Sequence, residues 1–198
     1  MADSCIVLPA VCFGAACIMA PVILVLRNAR RAKGRISGAG AVTGSRPFVL
    51  IAAAGFVGAG ILLWRPLPLS LPDPAGDLAA AAGGVLYFPG TSLYLWSLVL
   101  LGPQFGVSSV SGAGLYRDHR LVTAGPFAVV RHPMYLGVLL AAAGALLIFR
   151  TWAMLLFAPL SLVVVLRAER EEKLLAAEFG DAWKTYCSKV PKWMPKPR

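Results

Sequence analysis

Charge is scarce in this chain. Only 14% of its 198 residues are Asp, Glu, Lys or Arg, against 58% in the apolar set, and the mean hydropathy is +0.73. A soluble domain carries about 25% charged and 45–50% apolar residues, so an ordinary soluble domain and a disordered chain are both excluded. Histidine and cysteine are also few. The histidines are His119 and His132; Cys5, Cys12 and Cys17 lie in the first apolar run, Cys187 lies near the C-terminus, and no CxxC pair occurs. That excludes a disulfide framework and leaves no clustered ligand set, so no metal is expected. No GxGxxG follows a predicted strand, which removes a Rossmann nucleotide site. Acid is the scarcest charge: 9 Asp and Glu against 19 Lys and Arg leave a net charge of +10. Without an aromatic-plus-basic motif, that charge points to an anionic membrane surface and not to nucleic acid.

Long apolar runs are what the chain does have. A membrane helix needs about 20 residues, so the length allows a few spans and no large extramembrane domain. Residues 5–26 form the first run, too long for a signal-peptide core and with Asp3 in place of a basic start. Residues 27–47 follow with Arg27, Arg30, Arg31, Lys33, Arg35 and Arg46 and no acid. This positive loop is expected in the cytoplasm, which places the N-terminus outside. Residues 48–64 make a second span ending at Trp64, and residues 65–77 a proline-rich outer turn. Residues 78–101 make a third span, and 102–131 a polar cytoplasmic stretch. Residues 132–149 and 151–167 read as a tight helical hairpin around Arg150 and Thr151. The expected architecture is an all-α integral membrane protein, residues 1–198 forming a single membrane domain. It has about five transmembrane helices and cytoplasmic C-terminal helices roofing a pocket.

Small residues in the second span, Ala54/Gly58 and Gly55/Ala59, have the spacing of a helix-packing seam. Beyond the hairpin, EREEKLLAAEFG reads as a helix that leaves the membrane and ends at Gly180, with Leu174, Leu175 and Phe179 on one side. Trp183, Tyr186, Val190 and Trp193 then suggest a membrane-interfacial stretch.

Two polar clusters border these helices, where polar groups are costly to place. The first is Arg131-His132-Pro133-Met134-Tyr135, preceded by Gly125-Pro126-Phe127. Pro133 suits a first helical turn, His132 the cap, and Tyr135 the same face as His132. A lipid-snorkelling Arg131 and a belt Tyr135 would explain the same residues without any chemistry. The second cluster runs from Arg167 through Glu169 to Glu171 and Glu172. Arg167 and Glu171 lie four apart on one helix face, as an exposed ion pair or as an anion grip. A hairpin returns both clusters to one membrane surface, where they can meet in one pocket.

LVTAGPFAVVRHPMYLG, then RAEREEKLL, then EFGDAWKTYCSKVPKWMP resembles the isoprenylcysteine carboxyl methyltransferase family, which shares this region with phospholipid N-methyltransferases. The resemblance covers residues 115–198, a catalytic region following the membrane helices of residues 1–114. It implies methyl transfer from S-adenosyl-L-methionine to a lipophilic or lipidated acceptor. By resemblance His119, Arg120, Leu121, Val122, Phe127, His132, Pro133, Met134 and Tyr135 border the cofactor. Arg167 and Glu171 form the catalytic pair, with Arg167 on the substrate and Glu171 also on the cofactor. Phe127 stands where tyrosine is frequent, and no glutamine stands near Gly112, where a polar cofactor contact would align. Carboxylate, phospholipid amine and small thiol remain open as acceptors. An NADPH-dependent sterol-type reductase and a non-enzymatic membrane protein are the readings from other classes. The alanine- and glycine-rich composition suggests a bacterial inner membrane, with the C-terminus and the active site cytoplasmic.

Overall fold

The computed structural model describes residues 2–28, 46–68, 71–72, 74–105 and 120–195. His119, Gly112 and most of the basic loop at 27–47 lie outside the described residues. Among the described residues six α-helices follow one another: α1 Ala2–Asn28, α2 Arg46–Leu62, α3 Ala75–Leu101, α4 Pro133–Phe149, α5 Trp152–Ser161 and α6 Val163–Lys189. No strand occurs among the described residues. Among the described residues three stretches are long and apolar enough to cross a membrane: Ile6–Asn28, Ala75–Leu101 and Trp152–Lys189; Leu50–Leu62 and Pro133–Phe149 are shorter apolar helices. This is an all-α membrane protein.

The α4–α5 hairpin turns as tightly as the sequence indicates. Arg150 takes the left-handed conformation at φ 46° and ends α4. Thr151 caps α5, its Oγ1 accepting from the Met154 N–H at 3.4 Å. The turn is tied to the chain after α2: the Leu67 N–H donates to Arg150 O at 2.8 Å and the Trp152 N–H to Arg65 O at 3.0 Å. The α4 start, the α3 end and the α1 end therefore gather at the opposite end of the bundle.

The closest helix approach is between antiparallel α3 and α4, and it runs through glycines. A Cβ on Gly90 would lie 2.7 Å from Ala141 N, and one on Gly137 would lie 2.6 Å from Gly90 O. Gly83 and Gly144 repeat the arrangement two turns away, a Cβ on Gly83 meeting Gly144 O at 2.8 Å. Helices in lipid associate by such packing because no hydrophobic gain separates helix from lipid tail. Among the described residues nothing packs on the small-residue seam of α2: a Cβ on Gly55 or Gly58 would meet nothing within 4 Å. Glycine spacing shows that a close approach is sterically allowed, not which helix carries a partner.

α1 is held to this pair by polar bonds. The Tyr87 hydroxyl donates to Ala10 O at 2.8 Å. Asn28, buried at the end of α1, donates through Nδ2 to Gly102 O at 2.9 Å and Phe105 O at 2.8 Å. Those carbonyls follow the end of α3, and Gly102 O also accepts the Phe105 N–H at 3.2 Å.

α6 bends sharply at Gly180, where φ is 49° and ψ −116°. The bend falls at the expected helix end, but helix resumes as far as Lys189. It folds Trp183, Tyr186 and Val190 back onto Leu175, and all four are buried in one cluster with Leu121 and Phe179 against it. Trp183, Tyr186 and Val190 therefore face the protein and not a membrane interface, which corrects the sequence reading. Their aromatic and aliphatic character fits either surface; the turn at Gly180 decides between them.

Candidate active site

Pro133 opens α4 with His132 at its N-cap, and the His132 carbonyl accepts the Leu136 N–H at 3.0 Å. A proline at this position fixes φ and lacks only an N–H that would have had no helical partner. One turn on, Tyr135 stacks on His132 with ring centroids 5.6 Å apart and planes 16° from parallel. Both rings are buried. The first cluster is thus a rigid aromatic pair at a helix start.

α6 brings the second cluster onto it. The Tyr135 hydroxyl donates to Glu171 Oε2 at 2.9 Å. The Arg167 guanidinium carbon lies 5.8 Å from the centre of the Tyr135 ring, in cation–π range. Arg167 has no carboxylate at ion-pair distance among the described residues. Its Nε is buried without a hydrogen-bond partner among the described residues. Leaving a buried donor unmade costs about 1–3 kcal/mol, so a donor held this way is open to an incoming anionic group.

Glu172 has a different set of partners. Its Oε1 accepts from Arg131 Nε at 2.9 Å and lies 3.1 Å from His132 Nε2, and its Oε2 lies 3.3 Å from Lys192 Nζ. Burial pushes the Glu172 carboxyl up, but the hydrogen bonds from His132 and Arg131 and their charges outweigh it and bring it down to about 2. An ionised carboxylate only accepts, so His132 Nε2 carries the hydrogen. Arg131 also donates to Val190 O at 2.8 Å. It is not the lipid-facing cation that composition alone allows.

A cleft opens between these groups, lined by Arg120, Leu121, Val122, Phe127, His132, Met134, Tyr135 and Glu171 from the sequence reading. Pro133 is fully buried behind this wall, and Arg167 stands beside it over the Tyr135 ring. Leu101, Arg131, Leu175, Trp183 and Tyr186 line it too. Trp183 and Tyr186 carried a signal in their three-residue spacing, which the sequence reading assigned to the membrane surface. Tyr186 fixes the facing loop as well, its hydroxyl donating to Phe127 O at 2.6 Å. The Arg120 N–H donates to Gln104 Oε1 at 2.8 Å and holds the start of the lining segment to the end of α3. Its lining combines aromatic and aliphatic side chains with the cations Arg120 and Arg131 and the carboxylate of Glu171.

Apolar helices ending at this cleft define a membrane protein with a candidate site at one end of its bundle. A model of the phospholipid methyltransferase family matches residues 78–182, just over half of the chain, and the chain belongs to that family. The match begins in α3, well before the 115 boundary drawn from the motifs. The chain is similar to protein-S-isoprenylcysteine O-methyltransferase of Schizosaccharomyces pombe, 33% identical over 104 residues, 52% of this chain and 44% of that protein. It is also similar to protein-S-isoprenylcysteine O-methyltransferase B of Arabidopsis thaliana, 29% identical over 133 residues, 56% of this chain and 66% of that protein. The chain spans less than two thirds of the length of either relative.

Proposed function

We propose that this protein methylates a membrane-partitioned acceptor with S-adenosylmethionine, the first candidate being the carboxylate of a prenylated cysteine or a similar lipophilic acid. The observation that carries this reading is the open Arg167 Nε beside the Tyr135–Glu171 bond, at the edge of a cleft within the family-matched region. The residues fit the cofactor. Phe127, Trp183 and Tyr186 offer flat apolar surface to a purine, Arg120 a cation to a carboxylate, and Glu171 a negative charge to a sulfonium. When bound, S-adenosylmethionine supplies a methyl group already activated by its positive sulfur.

Arg167 holds the acceptor carboxylate through charge-assisted hydrogen bonds. That carboxylate is ionised at neutral pH, so no residue has to remove a proton. Tyr135 keeps Glu171 in place, and Glu171 is then the base if the acceptor is an amine or a thiol. His132 and Met134 form the wall between cofactor and helix. Orientation of two bound reactants supplies much of the acceleration when one is already activated. The basic loop at 27–47 supports a cleft on the cytoplasmic side, and the composition supports a bacterial inner membrane.

The test is transfer of a labelled methyl group, by protein in detergent or vesicles, to a farnesylated cysteine, its carboxamide, and phosphatidylethanolamine. Base-labile methylation of the free acid but not of the amide supports the reading. Labelled phosphatidylethanolamine alone moves the acceptor to an amine. No transfer to any of them by folded protein removes the reading.

A further inference from the structure

The C-terminal end of the chain is bound to the loop that carries His132. The Arg131 N–H donates to Pro191 O at 2.9 Å and the His132 N–H to Lys192 O at 3.3 Å. Glu172 joins the same two segments through Arg131 on one oxygen and Lys192 on the other. The Trp193 ring lies 5.4 Å from His132 on centroids. His132 thus contacts Trp193 and Tyr135, with its Nε2 held by Glu172. A continuous path of contacts leads from Lys192 through Glu172, His132 and Tyr135 to Glu171. Lys192, Trp193 and Glu172 do not line the cleft. Nor are they needed to end α6, since the Val190 N–H already closes on Tyr186 O at 2.9 Å.

We infer that residues 191–193, locked by Glu172, are a positioning strap that fixes the His132 ring against Tyr135 and so pre-forms the cofactor wall of the cleft. The inference rests on the methyltransferase reading. A wall that is already ordered loses less freedom when a ligand arrives, and the difference is read as affinity. The Lys192–Glu172 contact is partly exposed and contributes little by itself. The ring contact of Trp193 and the hydrogen bond on Nε2 act on His132 directly and carry most of the effect.

The experiment measures S-adenosylhomocysteine affinity by calorimetry, and kcat and KM for the acceptor, on the full chain. The variants are Trp193→Leu, Glu172→Gln and Lys192→Met, with Trp193→Phe and Lys192→Arg as conservative partners. Trp193→Leu and Glu172→Gln are expected to weaken the ligand about tenfold. Lys192→Met is expected to weaken it about threefold. The acceptor KM stays constant, and Phe and Arg restore affinity. Unchanged affinity in folded variants overturns the strap, as does an equal loss for ligand and acceptor, which marks a general loss of structure. If Trp193→Leu does not fold, Lys192→Met decides, because that side chain reaches the surface. Wild-type protein that binds no S-adenosylhomocysteine defeats the methyltransferase reading itself, an outcome distinct from selective loss in the variants.

Discussion

Tyr135 on α4 and Glu171 on α6 meet side chain to side chain at 2.9 Å, across 36 residues of sequence. The bond joins the start of α4 to α6 beside the cleft. Tyr135→Phe removes the donor and keeps the ring. A hydrogen bond to a charged group contributes about 1.5–3 kcal/mol, so activity should fall by roughly 10- to 100-fold in kcat/KM. Steady-state kinetics checks this, and an unchanged kcat/KM would leave Glu171 positioned by something else.

Arg167→Ala should abolish turnover while S-adenosylhomocysteine still binds, because the proposed partner of its unpaired Nε is the acceptor and Arg167 is not among the residues that line the cleft. Arg167→Lys should restore little, since an ammonium lacks the planar guanidinium fork. Calorimetry beside a turnover assay separates the two ligands. Wild-type turnover in Arg167→Ala would end the substrate role.

Acid should loosen the fold through Glu172. Its carboxyl stands at about 2 in the folded chain against an ordinary 4.5. A carboxyl held down on folding stabilises fully above its unfolded value and loses that contribution as pH falls through the folded value. The melting temperature should therefore drop between pH 4.5 and about 2. In Glu172→Gln it should already be lower at pH 7 and change less across that window. Parallel curves for the two proteins would remove Glu172 from the acid response.

Glycine substitutions should separate the two candidate seams. A Cβ on Gly137 would meet the backbone of Gly90 and of Tyr94, at 2.6 Å and 2.7 Å. Overpacking of this kind costs about 1–3 kcal/mol. Gly137→Ala should lower thermal stability in detergent, and Gly58→Ala, with open space around it, should not. Equal melting temperatures for Gly137→Ala and wild type would show that α3 and α4 can part without cost.

The apolar runs, the two-residue turn at Arg150 and Thr151 and the break at Gly180 were legible because each depends on local chemistry. The meeting of the two polar clusters was legible from hairpin arithmetic. What each glutamate does was not. Glu171 and Glu172 are adjacent, so on a helix they point about 100° apart, and only the third dimension sets Tyr135 before one and Arg131 before the other. The inward turn of Trp183 and Tyr186 was hidden for a similar reason. An aromatic stripe looks the same whether it meets lipid or protein.

Asn28 ties the matched region to a helix outside it. Its amide serves the carbonyls of Gly102 and Phe105, beside the Leu101 that lines the cleft. A chain trimmed to the family-matched residues 78–182 would begin without that amide. The buried Phe105 carbonyl would then lose this donor, at about 1–3 kcal/mol, while Gly102 O would keep the Phe105 N–H at 3.2 Å. The first helix is thus a splint for the far end of the third, and the segment that carries the family likeness is not a module that can be lifted out intact.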